Sequence, residues 1–263
     1  MGISGIWHNE YGSVMALTME PDGGISGRYS STTGSTGTYP VIGWADPREP
    51  GPDRGQSLAL SISWRSMGDE PQDPSWHWVS GLGGQLVNEA GAERMILLHD
   101  MVASTEFPGQ ARVGRHIDKL VFSRAVGDPA AVLRSSPGTR RLPTGLDRAS
   151  LLEGEWRDDF DSSIRLSMEL LDRSRGTVSA TFTIGGRPFR MAGYADALAE
   201  SDACALQALS LSGLLGDAET LSLTGSLDLS TMVLTLASFR STGTTPSLSY
   251  TQTRLDQYRL RKA

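Results

Sequence analysis

The opening stretch "SGIWHNEYGSVMALTMEPDGGISGRYSS", Ser4 to Ser31, carries an amide, a hydroxyl and a phenol at Asn9, Ser13 and Tyr29. Each can donate a hydrogen bond while staying neutral. Neutral donors aimed together at one carbonyl-like oxygen can hold partial negative charge in a water-poor cavity. Taken singly, the same residues are ordinary strand positions with solvent-facing polar tips. Trp64, Trp76 and Trp78 follow later in the same half. Tryptophans on adjacent strands of a small barrel either pack as core or wall a pocket. His99, Asp100 and His116 raise a metal or acid–base reading, but their spacing fits no strong metal signature. The run "RDDFD", Arg157 to Asp161, lacks the Gly and Glu that a calcium loop places downstream, and reads as a solvated strand end. Cys204 sits in the apolar run "ACALQAL" and is expected to be buried and inert.

The elements that must position these residues have a period of two. "SVMALTME" (Ser13–Glu20) alternates, and "PDGG" then "ISGRYSS" follow, the Asp-Gly pair between alternating runs being a hairpin signal. "TYPVIGWA" (Thr38–Ala45), "SLALSISW" (Ser57–Trp64), "SWHWVSGLG" (Ser75–Gly83, with Trp76 and Trp78 on one face), "ERMILLHDMVAS" and "HIDKLVFSR" continue the pattern. About eight short antiparallel strands are predicted in the first half, joined mostly by short loops. From Ala125 to Ser150 the pattern fails in a Pro- and Arg-containing stretch, which reads as a linker.

The pattern then restarts as a second copy. Trp7 matches Trp156, "VIGWAD" matches "MAGYAD", "ERMILLHDMVAST" matches "STMVLTLASFRST", and "IDKLVF" matches "LDQYRL", which sets Asp118 opposite Asp256. These four matches fall in chain order, with offsets of 149, 150, 137 and 138. The chain therefore reads as two domains, 2–124 and 150–262, around a linker at 125–149. Trp7 and Trp156 are expected to be buried in the cores of the two copies.

The totals bound the function. The chain has 263 residues, a formal net charge of −6, 30 glycines and 13 prolines, which suits an all-β protein of many turns. A nucleic-acid footprint would be basic. With a single cysteine no intrachain disulfide can form. No apolar run approaches the roughly 20 residues of a membrane helix, and the first residues do not read as a secretory signal. A soluble, cytoplasmic protein without nucleic-acid or membrane partners is expected, and no cofactor is called for.

In its order of motifs the first copy resembles the avidin and streptavidin family. The likeness rests on W-x-N-x-x-x-S at Trp7, Asn9 and Ser13, on G-x-Y-x-S at Gly27, Tyr29 and Ser31, then on "SLALSISW", a Trp-bearing strand and "GRHIDKLVF". It implies two tandem eight-stranded antiparallel up-and-down β-barrels. In the family such a barrel holds one small ligand in its mouth and usually forms a tetramer, so a homo-oligomer, or a pseudo-dimer of the two halves, is implied here. Carried over residue by residue, Asn9, Ser13 and Tyr29 would converge on a ureido oxygen, and Ser31 would meet a ureido nitrogen. Ser35 would meet the ligand's carboxylate, and Trp64 and Trp78 would stack on the ligand. Asp118 is the best match for the acceptor carboxylate on the last strand, with His116 as its rival.

The first copy also departs from the family. A tryptophan on the seventh strand is matched to Ile96, a subunit-crossing tryptophan is missing from a loop that offers only Phe107, and Trp76 replaces a small hydroxyl residue. In the second copy Asn9 becomes Asp158, Tyr29 becomes Phe182, and Ser162 is matched to Ser13. That copy is expected to be scaffold or to take a cationic ligand. The function implied is non-covalent binding of biotin or a biotin-like ureido or heterocyclic compound by the first barrel. The alternatives are a cofactor-free cyclase that folds a substrate in the cavity, and a purely structural pair of barrels.

Overall fold

The computed structural model describes residues 2–31, 35–67, 73–89, 91–106, 113–127, 150–200, 202, 204–216, 218–245 and 253–263. Most of the sequence-predicted linker lies outside these residues. The first half forms β1 (Gly5–Asn9), β2 (Val14–Met19), β3 (Gly24–Ser31), β4 (Gly37–Ala45), β5 (Gln56–Ser63), β6 (Trp78–Glu89), β7 (Ala92–Ala103) and β8 (Gly114–Ala125). The second forms β9 (Gly154–Asp158), β10 (Arg165–Asp172), β11 (Thr177–Ile184), β12 (Arg187–Ala195), β13 (Leu206–Leu214), β14 (Glu219–Asp228), β15 (Val233–Thr242) and β16 (Thr253–Lys262). Each set of eight pairs in sequence order and closes on itself, β8 on β1 and β16 on β9. The protein is all-β, with two closed eight-stranded antiparallel barrels, as the period-two pattern predicts.

Alternation builds the cores. β4 buries every second residue, Tyr39, Val41 and Ala45 among them, and β10 does so with Leu166, Met168 and Leu170. Trp7 and Trp156 are fully buried at the floors, and each indole N–H donates to a carbonyl four residues upstream, Ile3 at 2.9 Å and Leu152 at 2.8 Å. The "PDGG" turn joins β2 to β3. Gly23 holds φ 91° there, and a Cβ would come within 2.4 Å of the Ala45 carbonyl oxygen, so the position requires glycine.

β5 and β13 are buried on both faces, because the outer face of each barrel packs on the other. Val79, Val102, Tyr194 and Ala208 form an apolar cluster at the join. Ser210 Oγ donates to Ser61 Oγ at 3.0 Å, Ser57 Oγ to the Ala218 carbonyl at 2.7 Å, and Arg65 Nη1 to the Ser174 carbonyl at 2.8 Å. The approach is close. A Cβ on Gly81 would meet Thr224 Oγ1 at 1.8 Å, and one on Gly83 would meet Phe239 at 2.8 Å.

Candidate functional site

The mouth of the first barrel opens into a cavity of about 650 Å³. Its polar end is set by the β1–β2 turn. Asn9 Oδ1 accepts from the backbone N–H of Tyr11 at 3.1 Å and of Ser13 at 2.9 Å. These two bonds fix the amide and leave Nδ2 as the group turned away from the turn. Nδ2 is buried and makes no hydrogen bond among the described residues. Ser13 and Tyr29 line the cavity beside it. Burial raises the Tyr29 phenol above its usual pKa, opposed by contacts of its hydroxyl with Ser13 and Asn9, so Tyr29 is a neutral donor at ordinary pH.

Trp64 forms the opposite wall. Its ring meets Tyr29 edge-on at 5.8 Å, Tyr39 at 4.9 Å and Trp78 at 6.3 Å. The Trp64 indole N–H donates to Ser80 Oγ at 2.8 Å, and Ser80 Oγ is hydrogen-bonded in turn to His99 Nε2, also at 2.8 Å. His99 is neutral at ordinary pH. Burial drives its pKa down to about 4, with Asp118 offsetting only part of the effect. Ser35 Oγ bonds the Tyr39 hydroxyl at 2.6 Å and Ser75 Oγ at 2.7 Å, and Ser31 is buried in the lining.

Asn9, Ser13, Tyr29, Ser31, Ser35, Trp64, Trp78 and Asp118 all line this one cavity. Asp118 lies on its exposed rim, with Oδ1 accepting from the Lys119 N–H at 2.7 Å. Its rival His116 lines the cavity too, two residues away on the same inward face of β8. Trp76 is different. It is buried on a single 3-10 turn, Pro74–His77, rather than on a strand, and it is not part of the lining. The β6 alternation begins only at Trp78.

Three further expectations are corrected. Ile96 does not face the cavity. The inward residues of β7 are Met95, Leu97, His99 and Met101, so the seventh-strand match is displaced by one position, which in a strand reverses the face. Asp100 consequently points outward, paired with Arg115, and does not meet His99. Ser162 is not the counterpart of Ser13. Trp7 pairs with Met15 and Trp156 with Leu166, which makes Ile164 the counterpart, in a turn two residues longer. Cys204 is half-buried beside His77 rather than buried in the core, though its thiol pKa is pushed up to about 11 by burial, with Asp196 and Asp202 adding to the effect. Phe107 lies outside the described residues.

Residues 1–117 match the family model for avidin. Over these residues the first barrel is similar to the avidin family. The second repeats its eight-stranded topology, so the chain is a tandem avidin-like duplication. The polar lining of that cavity, however, is not repeated among the described residues. By strand register, Ser13, Tyr29, Ser31, Trp64 and Leu120 are replaced by Ile164, Phe182, Ile184, Leu215 and Tyr258. The Phe182 and Tyr258 rings lie 5.4 Å apart inside that barrel. Asp158 anchors its turn as Asn9 does, with Oδ1 accepting from the N–H of Phe160 at 2.9 Å and of Asp161 at 3.0 Å. Its other oxygen accepts from the Arg259 N–H at 3.0 Å, so this carboxylate is spent on backbone and is not held open for a cation. Among the described residues no helix is long and apolar enough to cross a membrane.

His99, Ser80, Met101 and Tyr11 complete the site and were not assigned to it from sequence. The signal for the β7 residues was present in the alternation. Setting its phase on Leu97 instead of Ile96 brings His99 and Met101 inward.

Proposed function

We propose that the first barrel binds, non-covalently, a small molecule with a cyclic urea or amide head group, biotin or a biotin-like ureido compound being the leading candidate. One observation carries this reading. The Asn9 amide is locked by two backbone bonds, with its N–H₂ buried and unspent beside two neutral hydroxyls. A buried donor left unpaired costs about 1–3 kcal/mol. A carbonyl oxygen seated between Asn9, Ser13 and Tyr29 removes that cost and accepts three bonds. The match of residues 1–117 to the avidin family model supports the same reading.

In this reading Ser31 and Asp118 accept from the head group's N–H donors, Trp64 and Trp78 pack on its rings, and Ser35 meets the polar end of its tail. The cyclase alternative needs a base poised in the cavity. His99 Nε2 is tied to Ser80 by a hydrogen bond, and Asp118 sits at the solvent-facing rim, so the geometry favours a binder. The test is isothermal titration of the purified chain with biotin, followed by native mass spectrometry of the chain as it comes from its host. One biotin per chain supports the reading. Failure to bind biotin, with a different co-purified molecule in the first barrel, keeps the cavity as the site and replaces the ligand. An absence of both would overturn it.

A further inference from the structure

Where the barrels meet, ligating atoms from both halves converge on one point. His77 Nδ1 lies 2.9 Å from Asp196 Oδ2 and 3.6 Å from Cys204 Sγ, and the three atoms are all within 4.8 Å of one another. Tetrahedral zinc with bonds of about 2.0–2.3 Å holds its nitrogen and oxygen ligands about 3.3 Å apart and its nitrogen and sulfur ligands about 3.6 Å apart. The two distances from His77 Nδ1 need to change by only a few tenths of an ångström. The far ring nitrogen, His77 Nε2, lies 3.3 Å from Asp202 Oδ2. A metal-bound histidine commonly gives its second N–H to a carboxylate in this way. Asp196 Oδ1 is already taken by the Leu198 N–H at 3.0 Å, which leaves Oδ2 for a ligand.

The first barrel supplies the control. Asp46 and Asp196 are structural twins, each accepting a glutamine amide on its carbonyl, from Gln56 at 2.7 Å and from Gln207 at 3.0 Å. Asp46 is neutralised within its own loop by Arg48, whose Nε and Nη2 each donate to it at 2.9 Å. Leu198 stands in place of that arginine in the second barrel, and His77 faces Asp196 across the join. The register gives Ala218 as the counterpart of His77, so the twin position has no such ligand.

We propose that His77, Asp196 and Cys204 form a transition-metal site, best matched to Zn²⁺, that ties the first barrel to the second. A mixed nitrogen, oxygen and sulfur donor set suits zinc, and three protein ligands leave the fourth position to water. An open cleft lined by Asp73, Thr105 and Glu106 reaches His77 and gives an ion a path in. The carboxylates of Asp196 and Asp202 face the His77 ring and leave the site acidic, with Arg65 nearby. When Zn²⁺ enters, Nδ1 ligates it unprotonated and the Cys204 thiol proton leaves to solvent.

The experiment uses the full chain, stripped with a chelator and titrated with Zn²⁺ and, separately, Co²⁺. The expected result is one metal per chain, a thiolate-to-cobalt charge-transfer band, protection of Cys204 from a thiol reagent, and a Tm that climbs with metal concentration. Cys204→Ser should lose the band, and Asp202→Asn should weaken binding about 10-fold through the second ring nitrogen. His77→Gln should abolish binding. If that variant misfolds, Cys204→Ser alone decides the matter. No charge-transfer band at saturating Co²⁺, or equal affinity in wild type and Cys204→Ser, overturns the proposal. Neither readout depends on what the first barrel binds.

Discussion

The two barrels share a topology, a floor tryptophan and an anchored aspartate or asparagine at the first turn, yet the lining that is polar in one is apolar in the other. Asn9 and Asp158 each hold their turn by two backbone N–H bonds to Oδ1. They differ by one atom. In Asn9 that atom is a donor buried against the cavity, and in Asp158 it is an acceptor used up by β16. Around it, hydroxyls in one barrel are branched aliphatics in the other. The scaffold survives the exchange because the turn needs only an acceptor at Oδ1, and a site needs the rest.

The largest effect should come from striking at that difference. The double variant Asn9→Ala with Tyr29→Phe should lower ligand affinity at least about 30-fold, two lost bonds at about 1–3 kcal/mol each. Its Tm should fall by only several degrees, because Ala also removes the acceptor that holds the β1–β2 turn. Calorimetric titration and a thermal melt read the two quantities, and a large stability loss with intact binding would sink the site assignment. Phe182→Ala in the second barrel should cost about 3–5 kcal/mol in unfolding free energy, because it empties a packed core, and should leave first-barrel binding alone. Chemical denaturation measures the first effect and titration the second. Gly81→Val at the join should cost about 1–3 kcal/mol by overpacking against Ser222 and Thr224. Its sharper readout is the splitting of one unfolding transition into two.

The pH effect is smaller. His99 has a folded pKa of about 4 against an ordinary value of 6.5, so the unfolded chain takes up the proton first. Its contribution to stability is present above about pH 6.5 and is lost as pH falls toward 4. A shift of that size is worth about 3 kcal/mol at full burial, and about 1–2 kcal/mol for a ring partly open to the cavity. His99→Gln should flatten this slope in melts taken across the window, and an unchanged slope would assign it elsewhere. Least of all, Asp158→Asn should cost about 1 kcal/mol, the loss of one acceptor for Arg259, without creating a binding site. A variant that gained ligand affinity would show that the second barrel can hold a site.

The repeat and the barrels were legible because period-two alternation and turn residues are local. The Asp-Gly hairpin, the floor tryptophans and the pairing of Asp118 with Asp256 needed no tertiary information, and the register bears out that correspondence. Phase errors were the main failure. A one-residue displacement put Ile96 where Leu97 and His99 belong, and a turn longer by two residues hid Ile164 behind Ser162. Trp76 was misplaced because "PSWH" reads as alternation but is capped into a 3-10 turn by Asp73 Oδ1, which accepts from the Ser75 N–H at 2.8 Å. The join was invisible for a different reason. Ser57, Ala59 and Ser61 look like the wet face of a strand, yet they are buried because they lie against another barrel. Small polar residues signal close approach only once the partner surface is known.

That outer face of β5 and β6 has a consequence for synthesis. The first barrel is complete once β8 has emerged, while its partner surface is still unmade. At roughly 5–20 residues per second, the second barrel follows on the order of 10 s later. During that interval Val79, Val102 and Ile42 stand open to the cell, and another nascent copy offers the same face. The serines and glycines spread among them keep the waiting surface poorly adhesive. The second half, arriving on the same chain, then has the advantage of a high local concentration over any competitor in trans.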